Sequence, residues 1–256
     1  MEAVRPGASS EDPFEAAVRV VRGAADEAIP LRLLGGQAIR LLCPDFPARA
    51  RGDQDMDFAT VTRARTRVVE FLRSNGFEED KRFNALHGHR QMYFRTPEGR
   101  TVDVVLDQLR MCHVLDFADR IDRMPHTLDV TDLLLSKLQI VEMNRKDLQD
   151  ILYLLAAFEL RDGDPPMAVA LGRIGEILAN DWGWWRTVTR NLDAILKLSP
   201  DELDGVVPAA STHDPIEQAR TLRRHADGVP KSVRWRLRAR VGERLRWYDL
   251  PEEVKH

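Results

Sequence analysis

The run Arg51-Gly52-Asp53-Gln54-Asp55-Met56-Asp57-Phe58-Ala59 constrains this chain most, because acidic residues alternate with other types just ahead of an apolar stretch. Successive side chains of a β-strand point to opposite faces. A strand over 55–60 therefore puts Asp55 and Asp57 on one face, and Met56 and Phe58 on the other. At about 3.3 Å rise per residue the two carboxylates would stand roughly 6–7 Å apart. Such a pair suits a hard divalent cation, which takes oxygen ligands and needs only one or two carboxylates when a substrate phosphate supplies the rest. An acidic, solvated turn is the plainer reading of the same residues.

Upstream, Leu31-Arg32-Leu33-Leu34 reads as a short strand and Gln37 to Leu42 as the start of a helix, with Gly35-Gly36 between them. A glycine pair there lets the backbone approach a ligand closely and leaves helix N-terminal amides for an anion, phosphate being the obvious one. A tight turn that needs positive φ explains the same pair without a ligand. Downstream, Thr62 to about Asn75 reads as a helix ended by Gly76, while Phe77 to Asn84 carries no clear period. Two strands, Arg90 to Thr96 and Arg100 to Leu106, flank Pro97-Glu98-Gly99 as a hairpin. In the second, Val102, Val104 and Leu106 share one face, leaving Asp103, Val105 and Asp107 on the other. A carboxylate inside a β-branched strand is costly when buried unless it is paired or binds metal. If this strand lies beside the first acidic one, Asp103 can complete a three-carboxylate site; a solvated edge strand is the alternative.

From Leu128 the period becomes helical. Asp129 or Thr131 can cap a first helix, and a second begins near Arg145. Asp147 and Asp150 share a face of the second, as do Lys146 and Asp150, which a solvated face with ion pairs would also explain. Gly163-Asp164-Pro165-Pro166 looks like a linker, followed by helical periodicity to the end. Asp12-Pro13-Phe14-Glu15, Ser199-Pro200-Asp201-Glu202 and Asp214-Pro215-Ile216-Glu217 share one helix-start pattern of cap, proline and acid. Trp182, Trp184 and Trp185 read as packing anchors. A last helix, Lys231 to Tyr248, carries Arg234, Arg236, Arg238, Arg240, Arg244 and Arg246 with interleaved Trp235 and Trp247. Arginine with tryptophan suits a phosphate backbone or unstacked bases, although arginines also serve as ordinary surface residues.

Composition adds limits. With 256 residues and 43% hydrophobic content the chain can bury a large core or two modest ones, and a net charge of −3 gives no global signature of a nucleic-acid or membrane binder. Cys43 and Cys112 are too few for a disulfide framework. No stretch approaches the ~18 apolar residues of a membrane span, so the chain is expected to be cytoplasmic with no membrane partner.

The order of these elements resembles the nucleotidyltransferase superfamily, the fold shared with DNA polymerase β, and its AbiEii-like toxin branch in particular. The carrying residues are Gly35-Gly36, Arg51 with Asp55-Met56-Asp57-Phe58, Val102-Asp103-Val104, Leu134-Leu135-Ser136-Lys137 and Lys146-Asp147-Leu148-Gln149-Asp150. The resemblance covers roughly Leu31 to Leu155. It implies an α+β architecture: a nucleotidyltransferase core with a small mixed β-sheet and flanking helices over 1–127, then a helical domain, a C-terminal bundle, over 128–256. It also implies Mg²⁺-dependent transfer of a nucleoside monophosphate from an NTP to a hydroxyl. Asp55, Asp57 and Asp103 would hold the metal, Gly35, Gly36 and Arg51 the nucleotide. Lys137 would neutralise phosphate charge, and Asp147 or Asp150 would position that lysine or the acceptor. The acceptor would be tRNA or another RNA met by Arg234, Arg238 and Arg244, or else a small antibiotic-type molecule, and a toxin role would bring an antitoxin partner. A degenerate nucleotide- or protein-binding module is the remaining alternative. Gln37 stands where the superfamily often has Ser, and Asp53 where the toxin branch commonly has Thr. Asp53 adds negative charge beside the triphosphate site.

Overall fold

The structure, a computed structural model, describes residues 12–47, 55–203, 206–207 and 211–250. Arg51 and Asp53 lie outside the described residues.

Helix α1 (Pro13–Asp26) starts as its sequence pattern expects, with the Asp12 side chain accepting from the Phe14 amide at 3.0 Å and proline in the first turn. It buries the face formed by Ala17, Val20, Val21 and Ala24. Strand β1 (Arg32–Leu33) leads directly into helix α2 (Gly35–Leu42), so Gly35 is itself the first helical residue. Strand β2 (Met56–Thr60) begins one residue later than the alternating pattern suggested, leaving Asp55 exposed just ahead of it. Thr62 opens a short 3₁₀ turn rather than capping helix α3 (Arg65–Ser74); its amide and hydroxyl both donate to Asp107, at 2.9 and 2.5 Å. Gly76, at φ +84°, follows the helix end.

The stretch without a clear period contains edge strand β3 (Glu78–Glu79) and helix α4 (Lys81–His87), whose N-cap Asp80 accepts from Phe83 N at 2.8 Å. Strands β4 (Gln91–Arg95) and β5 (Thr101–Leu106) form the expected hairpin, turned at Gly99 with φ +82°. The main sheet runs β1-β2-β5-β4-β3, with β2 and β5 parallel and the other neighbours antiparallel. Met56, Phe58, Met92, Phe94, Val102 and Val104 are completely buried on its core face. Asp107 leaves the acidic face of β5, turning at φ +62° to bind Thr62.

A small hairpin, β6 (Gln108–Arg110) with β7 (Val114–Asp116), precedes helices α5 (Val130–Leu138) and α6 (Arg145–Ala157). Asp129 caps α5, accepting from Asp132 N at 2.8 Å, and Asn144 with Asp147 forms a capping box on α6. Both helices pack on α2.

The Gly163–Pro166 stretch does not behave as a linker. It is flanked by the parallel pair β8 (Leu160–Arg161) and β9 (Val169–Ala170), and it is fixed by charge. Arg120 reaches Asp129, Asp132 and Asp164 at 2.5, 2.7 and 2.6 Å, while Arg123 binds Asp129 and Arg173 binds Asp132. Asp129 and Asp132 are almost fully buried, so these guanidinium groups offset what would be a severe desolvation cost.

Helices α7 (Leu171–Asn180), α8 (Trp182–Ile195), the single turn α9 (Pro200–Leu203), α10 (Pro215–Gly228) and α11 (Val233–Val241) complete the chain. Helix α10 packs on α6, α7 and α8, and one contiguous apolar core extends from α1 to α10. The final helix is shorter than its composition suggests. Gly242 adopts φ +59°, a conformation that favours glycine, and ends it. Residues 245–250 then form an extended strap, pinned where Asp249 N donates to Cys112 O at 3.0 Å and Trp247 Nε1 to Thr187 Oγ1 at 3.1 Å. Among the described residues, no helix is long and apolar enough to cross a membrane.

Candidate active site

The parallel pairing of β2 and β5 places Asp57 directly opposite Asp103. Register partners on adjacent strands project to the same face, about 4.8 Å apart at the backbone. Both carboxylates are half-buried at the wall of a cleft of about 1130 Å³. Like charges held this close repel, so the arrangement favours a bound cation.

Gly35 completes this corner. Its φ is +66°, and a Cβ built there would lie 2.7 Å from Asp57 Oδ2, so only glycine lets the start of α2 approach the carboxylate. Leu34 N donates to Asp57 O at 2.9 Å, tying the turn to β2. Gly36 is half-buried beside it but does not line the cleft. Gln37 Nε2 donates to Asp55 O at 3.0 Å and so holds the start of the acidic strand. Asp55 itself is exposed and outside the cleft lining, and among the described residues no group of three or more His, Cys, Asp or Glu side chains could hold a metal ion.

Helices α5 and α6 also line this cleft. Lys137 Nζ lies 3.0 Å from Asp147 Oδ1 and 3.0 Å from Asp150 Oδ2. Asp150 is 1% exposed, which removes the solvated-face reading for this pair. Asp147 has two duties, since its other oxygen receives the Asn144 amide of the capping box at 3.5 Å. Ser136, Lys137 and Asp147 line the same cleft as Gly35, Asp57 and Asp103, whereas Asp150 supports Lys137 from behind.

Gln91 was not anticipated. Its Nε2 donates to Asp103 Oδ1 at 2.6 Å and so orients that carboxylate. Strand alternation could have flagged it, because Gln91 and Tyr93 of β4 sit on the face opposite Met92 and Phe94. Arg246, Tyr248 and Asp249 of the strap also reach this cleft, and nothing local in the sequence places them there.

Of the C-terminal arginines, Arg238 turns inward: it donates to Gly242 O and Leu245 O at 2.7 and 2.8 Å, and its guanidinium lies 4.7 Å from the Trp182 ring centroid. Arg234 and Arg244 are exposed. The tryptophans interlock as packing anchors: Trp184 stacks on His113, Trp182 meets Trp247 edge-on, and Trp185 meets Trp235.

No family model matches the chain and no curated protein matches it. Among solved structures it is similar to an antigenic nucleotidyltransferase-like protein from Paracoccidioides brasiliensis, at 16% identity and a TM-score of 0.39, covering 77% of this chain and 93% of that one. It is also similar to JHP933 from Helicobacter pylori, at 11% identity and a TM-score of 0.31, covering 92% of this chain and 97% of that one.

Proposed function

We propose that the protein is a nucleotidyltransferase that moves a nucleoside monophosphate from an NTP to an acceptor hydroxyl. The observation that carries this reading is the Asp57–Asp103 register pair against the Gly35 turn, in one cleft with Lys137. Two adjacent carboxylates form a donor set that fits Mg²⁺ together with waters and phosphate oxygens. Asp57 and Asp103 would hold it, with waters and phosphate oxygens as the remaining ligands. When bound, the ion supplies charge stabilisation to the phosphoryl oxygens.

The side chains divide the remaining work. The Gly35 turn receives the triphosphate at the start of α2. Lys137, held by Asp147 and Asp150, offsets phosphate charge from within the same cleft. Asp103, oriented by Gln91, accepts the acceptor proton as the acceptor oxygen bonds to the α-phosphorus. The bond from that phosphorus to the bridging oxygen breaks, and pyrophosphate leaves. Protein groups here supply mainly position and charge.

We place RNA first among acceptors because Arg234 and Arg244 are exposed on a C-terminal segment that continues into the cleft wall. A toxin-like role with an antitoxin partner belongs to the same reading. The test is incubation with each α-labelled NTP, Mg²⁺ and total RNA, or a small polyhydroxylated acceptor. Label transfer that Asp57→Asn and Asp103→Asn abolish supports the reading; transfer that survives both overturns it. The exposed position of Asp55 favours a second reading, a module that binds nucleotide without transferring it. Mg²⁺-dependent NTP binding without label transfer to any acceptor would select that one.

A further inference from the structure

A second cavity, of about 430 Å³, lies between the start of α8, helix α11 and the strap. It shares Val114, Arg246, Tyr248 and Asp249 with the larger cleft, so the two spaces are neighbours with the strap between them. The strap is closely seated: a Cβ at Gly183 would lie 2.7 Å from Trp247 O, and Arg238 donates to the strap carbonyls of Leu245 and Arg246 at 2.8 and 3.5 Å. The strap is thus a built wall of both spaces.

Three guanidinium groups, from Arg234, Arg238 and Arg246, line this cavity against two carboxylates, Asp181 and Asp249. Asp181 is already occupied as the N-cap of α8, accepting from Trp184 N at 3.1 Å. Arg236, Arg240 and Arg244 stand exposed nearby on the same segment, which adds to the positive field. Trp235, Trp247 and Tyr248 line the cavity as half-buried rings. Guanidinium groups beside partly open aromatic rings suit one ligand chemistry, a phosphate joined to an unstacked base.

We propose that this cavity is a nucleotide subsite for single-stranded RNA, which holds the strand so that its end enters the neighbouring cleft. The inference rests on the nucleotidyltransferase reading for the purpose of the site, but the binding itself is measurable without NTP. Arg234 and Arg246 contact phosphate, and a base packs among the Trp235, Trp247 and Tyr248 rings.

The experiment titrates the full chain with a labelled single-stranded RNA octamer and with a blunt RNA hairpin, following anisotropy and tryptophan fluorescence across a salt series. The octamer is expected to bind more tightly than the hairpin and to quench tryptophan emission. Arg234→Ala and Arg246→Ala should each weaken octamer binding about tenfold and reduce the salt slope by about one. Equal binding of octamer and hairpin, variants that bind as the parent does, or displacement of the octamer by a free NTP would each overturn the subsite. The two readings fail separately. A parent chain that binds the octamer but neither binds Mg²⁺–NTP nor transfers label keeps the subsite and loses only the transferase reading.

Discussion

Asp57 and Asp103 are register partners on parallel strands, although 46 positions separate them in sequence, and both face one cleft. A pair of half-buried like charges disfavours the apo fold, so replacing either with its amide should stabilise the free protein slightly. The same change should remove several kcal/mol of charge stabilisation in the reaction, about a hundredfold or more in rate. Thermal melts with and without Mg²⁺, paired with label transfer, check both parts. A variant less stable in the absence of metal would contradict the account.

Gly35→Ala should damage the site in a way that a second glycine does not. Both Gly35 and Gly99 have positive φ, and alanine in that region costs about 1–2 kcal/mol. A Cβ at Gly35 also meets Asp57 Oδ2, whereas at Gly99 it meets nothing within 4 Å. Chemical denaturation should therefore show a loss for both variants, larger for Gly35→Ala. Isothermal titration with Mg²⁺–NTP should show weakened binding for Gly35→Ala alone.

Lys137→Met should be costly to the fold. It leaves Asp147 and the almost fully buried Asp150 without their shared cation, a change worth about 3–5 kcal/mol for a buried pair. Adding Asp150→Asn to Lys137→Met should restore most of the stability in urea titrations without restoring transfer. Recovery of transfer as well would assign Lys137 a purely structural role.

Acid should destabilise the protein partly through His113. Burial pushes its pKa down to about 4 from 6.5, against the opposing pull of Asp181 and Asp249. Because the folded-state value is the lower one, the unfolded chain takes up the proton first as pH falls. This group's contribution is then complete above about pH 6.5 and is lost progressively toward pH 4, roughly 3 kcal/mol in all. Urea midpoints measured from about pH 7 down to pH 4.5 should fall less steeply for His113→Gln than for the parent.

The parts legible in the sequence are those set by local chemistry. Asp12, Asp129 and Asp214 each accept from an amide of the helix they open, as their patterns lead one to expect, and proline follows Asp12 and Asp214; Asp80, Asn144 and Asp181 cap helices whose starts carry no such reading. The 2-residue alternation of β5 separated Val102 and Val104 from Asp103, as the burial of those residues bears out. What stayed hidden depended on tertiary placement. Helix α4 is only seven residues long, too short for a period to show. Gln91 acquires its role from a neighbour 12 positions away. The strap has no period of its own, and the expected helix from Lys231 to Tyr248 runs past Gly242, whose positive φ ends it at Val241. Asp55 was read as part of a strand that begins one residue after it.

The charge cluster around Arg120 bears on how the chain would respond to being cut. A protease nick within 162–167 would sever the backbone where a sequence reader would place a boundary, but Asp164 would remain clasped by Arg120 and Arg123, and the Pro166 carbonyl would keep the Val130 amide. The nicked protein should therefore elute as a single species on gel filtration, and its two fragments should part only in denaturant.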